Sequence, residues 1–202
     1  MAHNPYFVLL ISGKRKCGKD YLAEKLVDLF GHQHLVCKIT ISEPLKAEYA
    51  NIYGLDSCRL MESSAYKEEF RTSMIKWGEK IRSQDPGYFC RKAIEQTKAI
   101  QFPIWVITDI RRQTDLDYFQ NSFGDKVKTV RITAEDNIRQ QRHWAYTHGV
   151  DDAESECDLD NVSSWNWIVN NSGNDIAVMK TLQEIKDKAQ AIVPPFVYNM
   201  LQ

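Results

Sequence analysis

The stretch SGKRKCGKD, Ser12 to Asp20, follows five apolar residues (Phe7 to Ile11) and precedes Leu22, Leu26, Leu29 and Phe30 at the i, i+4, i+7, i+8 spacing of an amphipathic helix. Strand, loop and helix in that order turn the spacing Gly13-x-x-x-x-Gly18-Lys19 into a phosphate-binding loop. Glycines let backbone N–H groups curl around a phosphate, and the helix N-terminus adds favourable partial charge. Lys19 is predicted to bridge the β and γ phosphates of a nucleotide. Two features depart from the usual pattern. A carboxylate, Asp20, stands where a hydroxyl is expected, and the arch carries three cations, Lys14, Arg15 and Lys16. Cys17 takes a free position of the loop and is read as packing, not as a nucleophile.

Outward from the loop, strand-length apolar runs alternate with helix-period segments. A second strand is predicted from about Leu35 to Ile41. Tyr66, Phe70, Met74, Trp77 and Ile81 mark a helix stripe, and DPGYFCRKAIEQ reads as a turn and a short helix. Pro103 to Asp109 (PIWVITD) is a strand, followed by a helix from Asp115 to Phe123 closed by Gly124. KVKTVRIT is a fourth strand. Thr133 and Asp136 resemble a capping pair that opens a helix ending near Trp144. WNWIVNN is a fifth strand, and a last helix from Ile176 to Ile192 is stopped by Pro194 and Pro195. The periodicity assigns no element between Ile41 and Tyr66. This alternation predicts an α/β fold with a five-stranded parallel sheet, helices on both faces, and ligands at the carboxyl ends of the strands.

A chain of 202 residues has room for one domain with a full core. Lys plus Arg (26) nearly cancels Asp plus Glu (27), which argues against a general nucleic-acid binder and directs attention to local clusters. Five dispersed cysteines without a C-x-x-C pair suit neither a disulfide framework nor a zinc site and fit reducing surroundings. The N-terminal MAHNPYFVLLIS lacks the basic region of a signal peptide, the C-terminal end lacks an S-K-L address, and no run is long enough to span a bilayer. The expected location is the cytoplasm, with neither nucleic acid nor membrane as a partner and the chain acting as a monomer.

The cations are clustered. Arg111 and Arg112 follow the end of the Asp109 strand, Arg131 lies in the next strand, and Arg139 and Arg142 share a face of the short helix after it. Lys67, Arg71 and Arg82 fall on one side of the Tyr66 to Ile81 helix. So many cations near a loop that already binds triphosphate would repel one another without anions between them. An acceptor that is itself a phosphate explains them: its second pKa near 6 leaves an oxyanion ready at neutral pH, and the task is to hold two polyanions together. The R-x-x-R helix suits a closing lid over about 133–160. The acidic run DDAESECDLD, Asp151 to Asp160, caps a helix, touches the lid arginines or forms a solvated loop. His143 and His148 are read as surface or packing residues.

SGKRKCGKD, YKEEFR, MIKWGEKIR, DPGYFCRK, TDIRR, RQQRHW and VDDAESECDLDN, in that order, resemble the animal-type phosphomevalonate kinases of the nucleoside monophosphate kinase fold, over roughly Phe7 to Asn171. The resemblance implies transfer of the ATP γ-phosphoryl group to (R)-5-phosphomevalonate, giving (R)-5-diphosphomevalonate and ADP in isoprenoid and sterol-precursor synthesis. It implies an ATP loop of Gly13, Lys14, Arg15, Lys16, Cys17, Gly18, Lys19 and Asp20. Lys67, Arg71, Arg82, Arg91, Arg111 and Arg112 become the residues that hold phosphomevalonate. Arg131, Arg139 and Arg142 form the lid-side set, Arg131 facing substrate and Arg139 and Arg142 the nucleotide, and Asn171 lies near the ligands. Lys16, Lys19, Arg111, Arg112 and Arg142 are the residues expected to serve transfer itself. Asp20 is expected to hold Mg²⁺, directly or through water, or else to complement the helix dipole; Asp109 is a second candidate for organising the metal or orienting Arg111.

Overall fold

A computed structural model describes residues 5–31, 34–62 and 65–199. The two chain ends read above for leader and targeting signals, 1–4 and 200–202, lie outside the described residues. Five parallel strands, β1 (Phe7–Ser12), β2 (Val36–Ile39), β3 (Ile104–Ile110), β4 (Val127–Thr133) and β5 (Trp167–Asn170), run in the order β2-β3-β1-β4-β5. The predicted sheet is therefore present, with the phosphate-loop strand at its centre.

β1 shows why its sequence is an unbroken apolar run. Phe7, Leu9 and Ile11 pack on one face with Leu22 and Leu26 of α1 (Lys19–Phe30) and Leu182 and Ile185 of the C-terminal helix (Asp175–Ile192). Val8 and Leu10 pack on the other face with Phe89 and Cys90 of α5, the helix Tyr88–Gln96, and with Leu116 and Phe119 of α6, the helix Gln113–Phe123. A strand covered on both faces needs apolar residues at every position. Cutting Leu9 or Leu10 to alanine costs about 2–5 kcal/mol, because each is fully buried.

Three elements lie between β2 and the helix Tyr88–Gln96. They are α2 (Ser42–Tyr53), α3 (Ser57–Met61) and α4 (Ala65–Gln84), and α4 is the helix marked by the Tyr66 to Ile81 stripe. Tyr49, Ala50, Leu60 and Met74 form a small core of their own there, joined to the sheet-side core through Leu45 and Trp77. Gly78 lets α2 and α4 approach closely: a Cβ at that position would stand 2.7 Å from Leu45 Cδ1.

Element ends differ from the periodicity for local reasons. β2 stops at Ile39 because the Ile41 and Ser42 N–H groups turn to the carboxylate of Asp109, at 2.7 and 3.0 Å, and start α2. The helix Gln113–Phe123 starts two residues early, since Asp115 accepts from the Arg112 N–H at 3.2 Å; it is closed by Gly124 as predicted. β5 is shortened at its start because the Asn166 side chain, in place of its backbone, accepts the Thr129 N–H at 2.8 Å.

The proposed Thr133 cap is corrected. Thr133 is the last residue of β4, and its carbonyl takes the Asn171 N–H at 2.8 Å. The following helix, α7 (Asp136–Gln141), begins after Glu135 without a side-chain cap. It ends at Gln141 with Arg142 as its C-cap, short of Trp144, because His143 turns to a left-handed φ of 61°.

Candidate active site

The carboxyl ends of β1 and β3 sit side by side, so the loop after each opens onto the same hollow. A cleft of about 500 Å³ is bounded there by the phosphate loop (Arg15, Lys16, Lys19, Asp20), α2 (Ser42, Lys46), α4 (Lys67, Arg71, Arg82) and the turn after β3 (Arg111, Arg112). Leu45, Met61, Met74 and Ile75 supply its apolar wall. Eight predicted cations therefore share one cleft with the carboxylate of Asp20.

The loop is held from behind. Gly18 adopts φ 90°, and a Cβ there would overlap the Asn171 side-chain amide. A Cβ at Gly13 would stand 2.6 Å from the Ile132 carbonyl, so β4 passes directly against the loop. Asn171, buried, donates from Nδ2 to the Cys17 carbonyl at 2.9 Å. Arg142 Nη1 donates to the same carbonyl at 3.0 Å, and Arg139 Nε to the Arg15 carbonyl at 2.9 Å. The loop's carbonyls thus face these donors. Arg139 also stacks on Trp144, 3.7 Å from the ring centre. Cys17 is buried and its thiol pKa is raised, chiefly by burial, as suits a packing residue.

The remaining predicted residues stand elsewhere. Lys14 reaches Asp160 at 2.6 Å, and Arg131 bonds Ser12 Oγ at 2.9 Å and Asp160 at 2.7 Å. Arg91 is exposed and paired with Asp85. None of these, nor Arg139, Arg142 or Asn171, borders the cleft. His143 and His148 are exposed.

Asp20 faces the cleft and takes the Lys19 ammonium at 2.9 Å. Its side chain is largely exposed, and although desolvation by the nearby protein raises its pKa, Lys19 and then Arg111 and Lys46 outweigh that and hold it below the usual carboxylate range. Asp109 is buried, with one oxygen on each of the Ile41 and Ser42 N–H groups, which fixes the start of α2. Lys46, which has no place in any sequence motif, borders the cleft and has a lowered pKa. Burial is the main cause, opposed by Asp109 and Glu43. Lys67 is lowered to about 8, first by burial and then by its neighbours Lys46 and Arg71.

The acidic run lies on the cations. Arg15 pairs with Asp151 at 2.8 Å, Arg112 with Asp158 at 3.0 Å and with Glu154 at 2.6 Å, and Arg111 with Glu156. Of the three readings open from sequence, contact with the lid-side arginines is found, among the described residues, at Arg131 alone; the other arginine partners come from the phosphate loop and the β3 turn, and Asp158 also accepts the Gln113 N–H at 2.8 Å, at the start of the helix Gln113–Phe123.

A family model described as phosphomevalonate kinase matches residues 11–125. A phosphomevalonate kinase from Drosophila melanogaster is 43% identical over 158 residues, 77% of this chain and 82% of that protein. In fold, the chain is similar to the crystal structure of TT1252 from Thermus thermophilus, with a TM-score of 0.53 at 14% identity, covering 92% of this chain and 98% of that one.

Proposed function

The chain belongs to the phosphomevalonate kinase family, and on that premise we propose that it transfers the ATP γ-phosphoryl group to (R)-5-phosphomevalonate, giving (R)-5-diphosphomevalonate and ADP. One observation carries the assignment of parts: Lys16 and Lys19 of the phosphate loop and Lys67, Arg71, Arg82, Arg111 and Arg112 border one cleft.

An acceptor phosphate ionises fully near neutral pH, so the nucleophile needs no base. What opposes reaction is repulsion. Two like unit charges 4 Å apart repel by about 4 kcal/mol at the effective dielectric near a protein surface, and two polyanions multiply that. Arginine forks match phosphate geometry and offset the repulsion while aligning the two ends. In this reading Gly13 to Lys19 cradle the ATP phosphates, Arg111 and Arg112 stand between donor and acceptor, and Lys67, Arg71 and Arg82 grip the acceptor's phosphate and carboxylate. Leu45, Met61, Met74 and Ile75 offer a surface for its methyl-bearing carbon. Arg139 and Arg142 belong to a lid spanning about 133–160 that carries charge and excludes water on closing.

Mg²⁺ suits Asp20. The ion binds through one or two carboxylates plus substrate phosphates and keeps several waters, and Asp20 presents an ionised carboxylate beside the phosphate-loop lysine. When bound, the ion supplies charge neutralisation on the phosphates. Asn171, which Gly18 touches, and Arg131, beside the strand that leads into the loop, act by holding the loop's frame. The working unit is read as a monomer in the cytoplasm. Among the described residues the cysteines are free and no helix is long and apolar enough to cross a membrane.

ADP release with phosphomevalonate, mevalonate and a panel of nucleoside monophosphates tests the proposal. Turnover with phosphomevalonate alone is the expected result; turnover with a nucleoside monophosphate in its place would refute it.

A further inference from the structure

A crowd of cations in one cleft has to be compensated, and this fold does so with its own carboxylates. The residue placed best is Glu156, on the short helix Glu154–Cys157. It is 8% exposed and borders the cleft. One carboxylate oxygen accepts the Arg15 backbone N–H at 2.9 Å, and the other pairs with the Arg111 guanidinium. The first donor belongs to the arch of the phosphate loop and the second to the turn after β3. A phosphoryl group passing from ATP to the acceptor would call on both at once.

We propose that Glu156 is an internal competitor for the phosphate seat: it holds the Arg15 N–H and Arg111 and is displaced from them by substrate phosphate, so that its charge sets the apparent affinity for substrate. This rests on the kinase reading above. A carboxylate and a phosphate cannot both hold the same N–H and the same guanidinium face, and their like charges would repel if they tried. A neutral side chain at 156 removes the competitor and leaves the donors free for phosphate.

The neighbourhood fits a strap that can lift. Val150 and Leu159 are buried at its two ends, 3% and 2% exposed, and give it apolar anchors. Between and beside them the other pairs are wetter: the Glu154 side chain is 71% exposed, and those of Asp158 and Asp160 are 29% and 35%. Partly solvated ion pairs are screened and contribute little each. Glu156 and Asp151, both buried, carry the stronger hold.

Steady-state kinetics of Glu156→Gln decide the matter. The expected result is a KM for phosphomevalonate, ATP or both lowered at least threefold. Unchanged or raised KM values for both overturn the proposal, and a fallen kcat with KM unchanged would make Glu156 a positioning residue for Arg111 instead. If that variant does not fold, hydrogen exchange of the wild-type protein answers the question with inorganic tripolyphosphate as the probe. Amides within 151–160 should exchange faster when it is added; unchanged or slower exchange overturns the proposal. Failure of the kinase reading would look different: the wild-type enzyme would not turn over phosphomevalonate, whatever the strap does with tripolyphosphate.

Discussion

Arg142 donates through Nη2 to the backbone carbonyl of Asn171 at 2.8 Å, tying the segment after α7 to the residue that follows β5. Because both residues also hold the Cys17 carbonyl, Arg142 is joined to the phosphate loop directly and through Asn171. Arg142→Met should lower kcat by about 10³-fold, the low end of what arginines delivered to a transferring phosphoryl group contribute. Steady-state kinetics check this, and a kcat near that of the wild type would remove Arg142 from the transfer machinery.

Gly18 offers the sharpest backbone test. Its φ of 90° is a conformation that side-chain-bearing residues rarely adopt, and an added Cβ runs into the Asn171 amide. Gly18→Ala should destabilise the fold by about 1–3 kcal/mol in urea unfolding. It should also raise the KM for ATP at least tenfold. Gly31→Ala is the control: φ is 71° and a Cβ meets nothing within 4 Å among the described residues, so only the backbone cost is expected and ATP binding should be unaffected.

Lys67 should give the acceptor an alkaline limit. Its pKa is pushed down to about 8 from 10.5 by burial and by Lys46 and Arg71. A cation that binds an anion loses its grip when it deprotonates, so kcat/KM for phosphomevalonate should fall as pH rises through about 8. Stability runs the other way. Between about 8 and 10.5 the unfolded chain holds the proton that the folded one has released, so this residue's contribution to folding becomes more favourable with rising pH. In Lys67→Arg the kinetic limb should move well above pH 8. A limb that stays in place in that variant would assign it to another group.

Asp20→Asn keeps the shape and removes the charge. If Asp20 helps to hold Mg²⁺, the metal concentration for half-maximal rate should rise at least tenfold. Unchanged metal dependence and kcat would leave Asp20 with the helix dipole alone, a contribution of about 0.3–1 kcal/mol that thermal unfolding can detect.

The chain's central features were legible because they are local. The phosphate loop announces itself through glycine spacing between a strand and a helix, and the strands through runs that two covered faces require. α2 was not legible. It buries only Pro44, Tyr49 and Ala50, while Ser42, Glu43 and Lys46 turn to the cleft, so no apolar stripe marks it, and Lys46 went unseen with it. The capping error at Thr133 has a similar origin: the hydroxyl pattern is local, but the sheet contact to Asn171 that claims its carbonyl comes from 38 residues downstream. The acidic run could not be placed for a stronger version of that reason. Lys14 and Asp160 are 146 positions apart, and only the order of strands in the sheet brings them together.

The small cluster of Tyr49, Ala50, Leu60 and Met74 gives the molecule a second, nearly self-contained foundation. Because that foundation supports the wall carrying Lys46, Lys67 and Arg71, and the central sheet supports Lys19, a packing change in the small cluster shifts one side of the cleft more than the other.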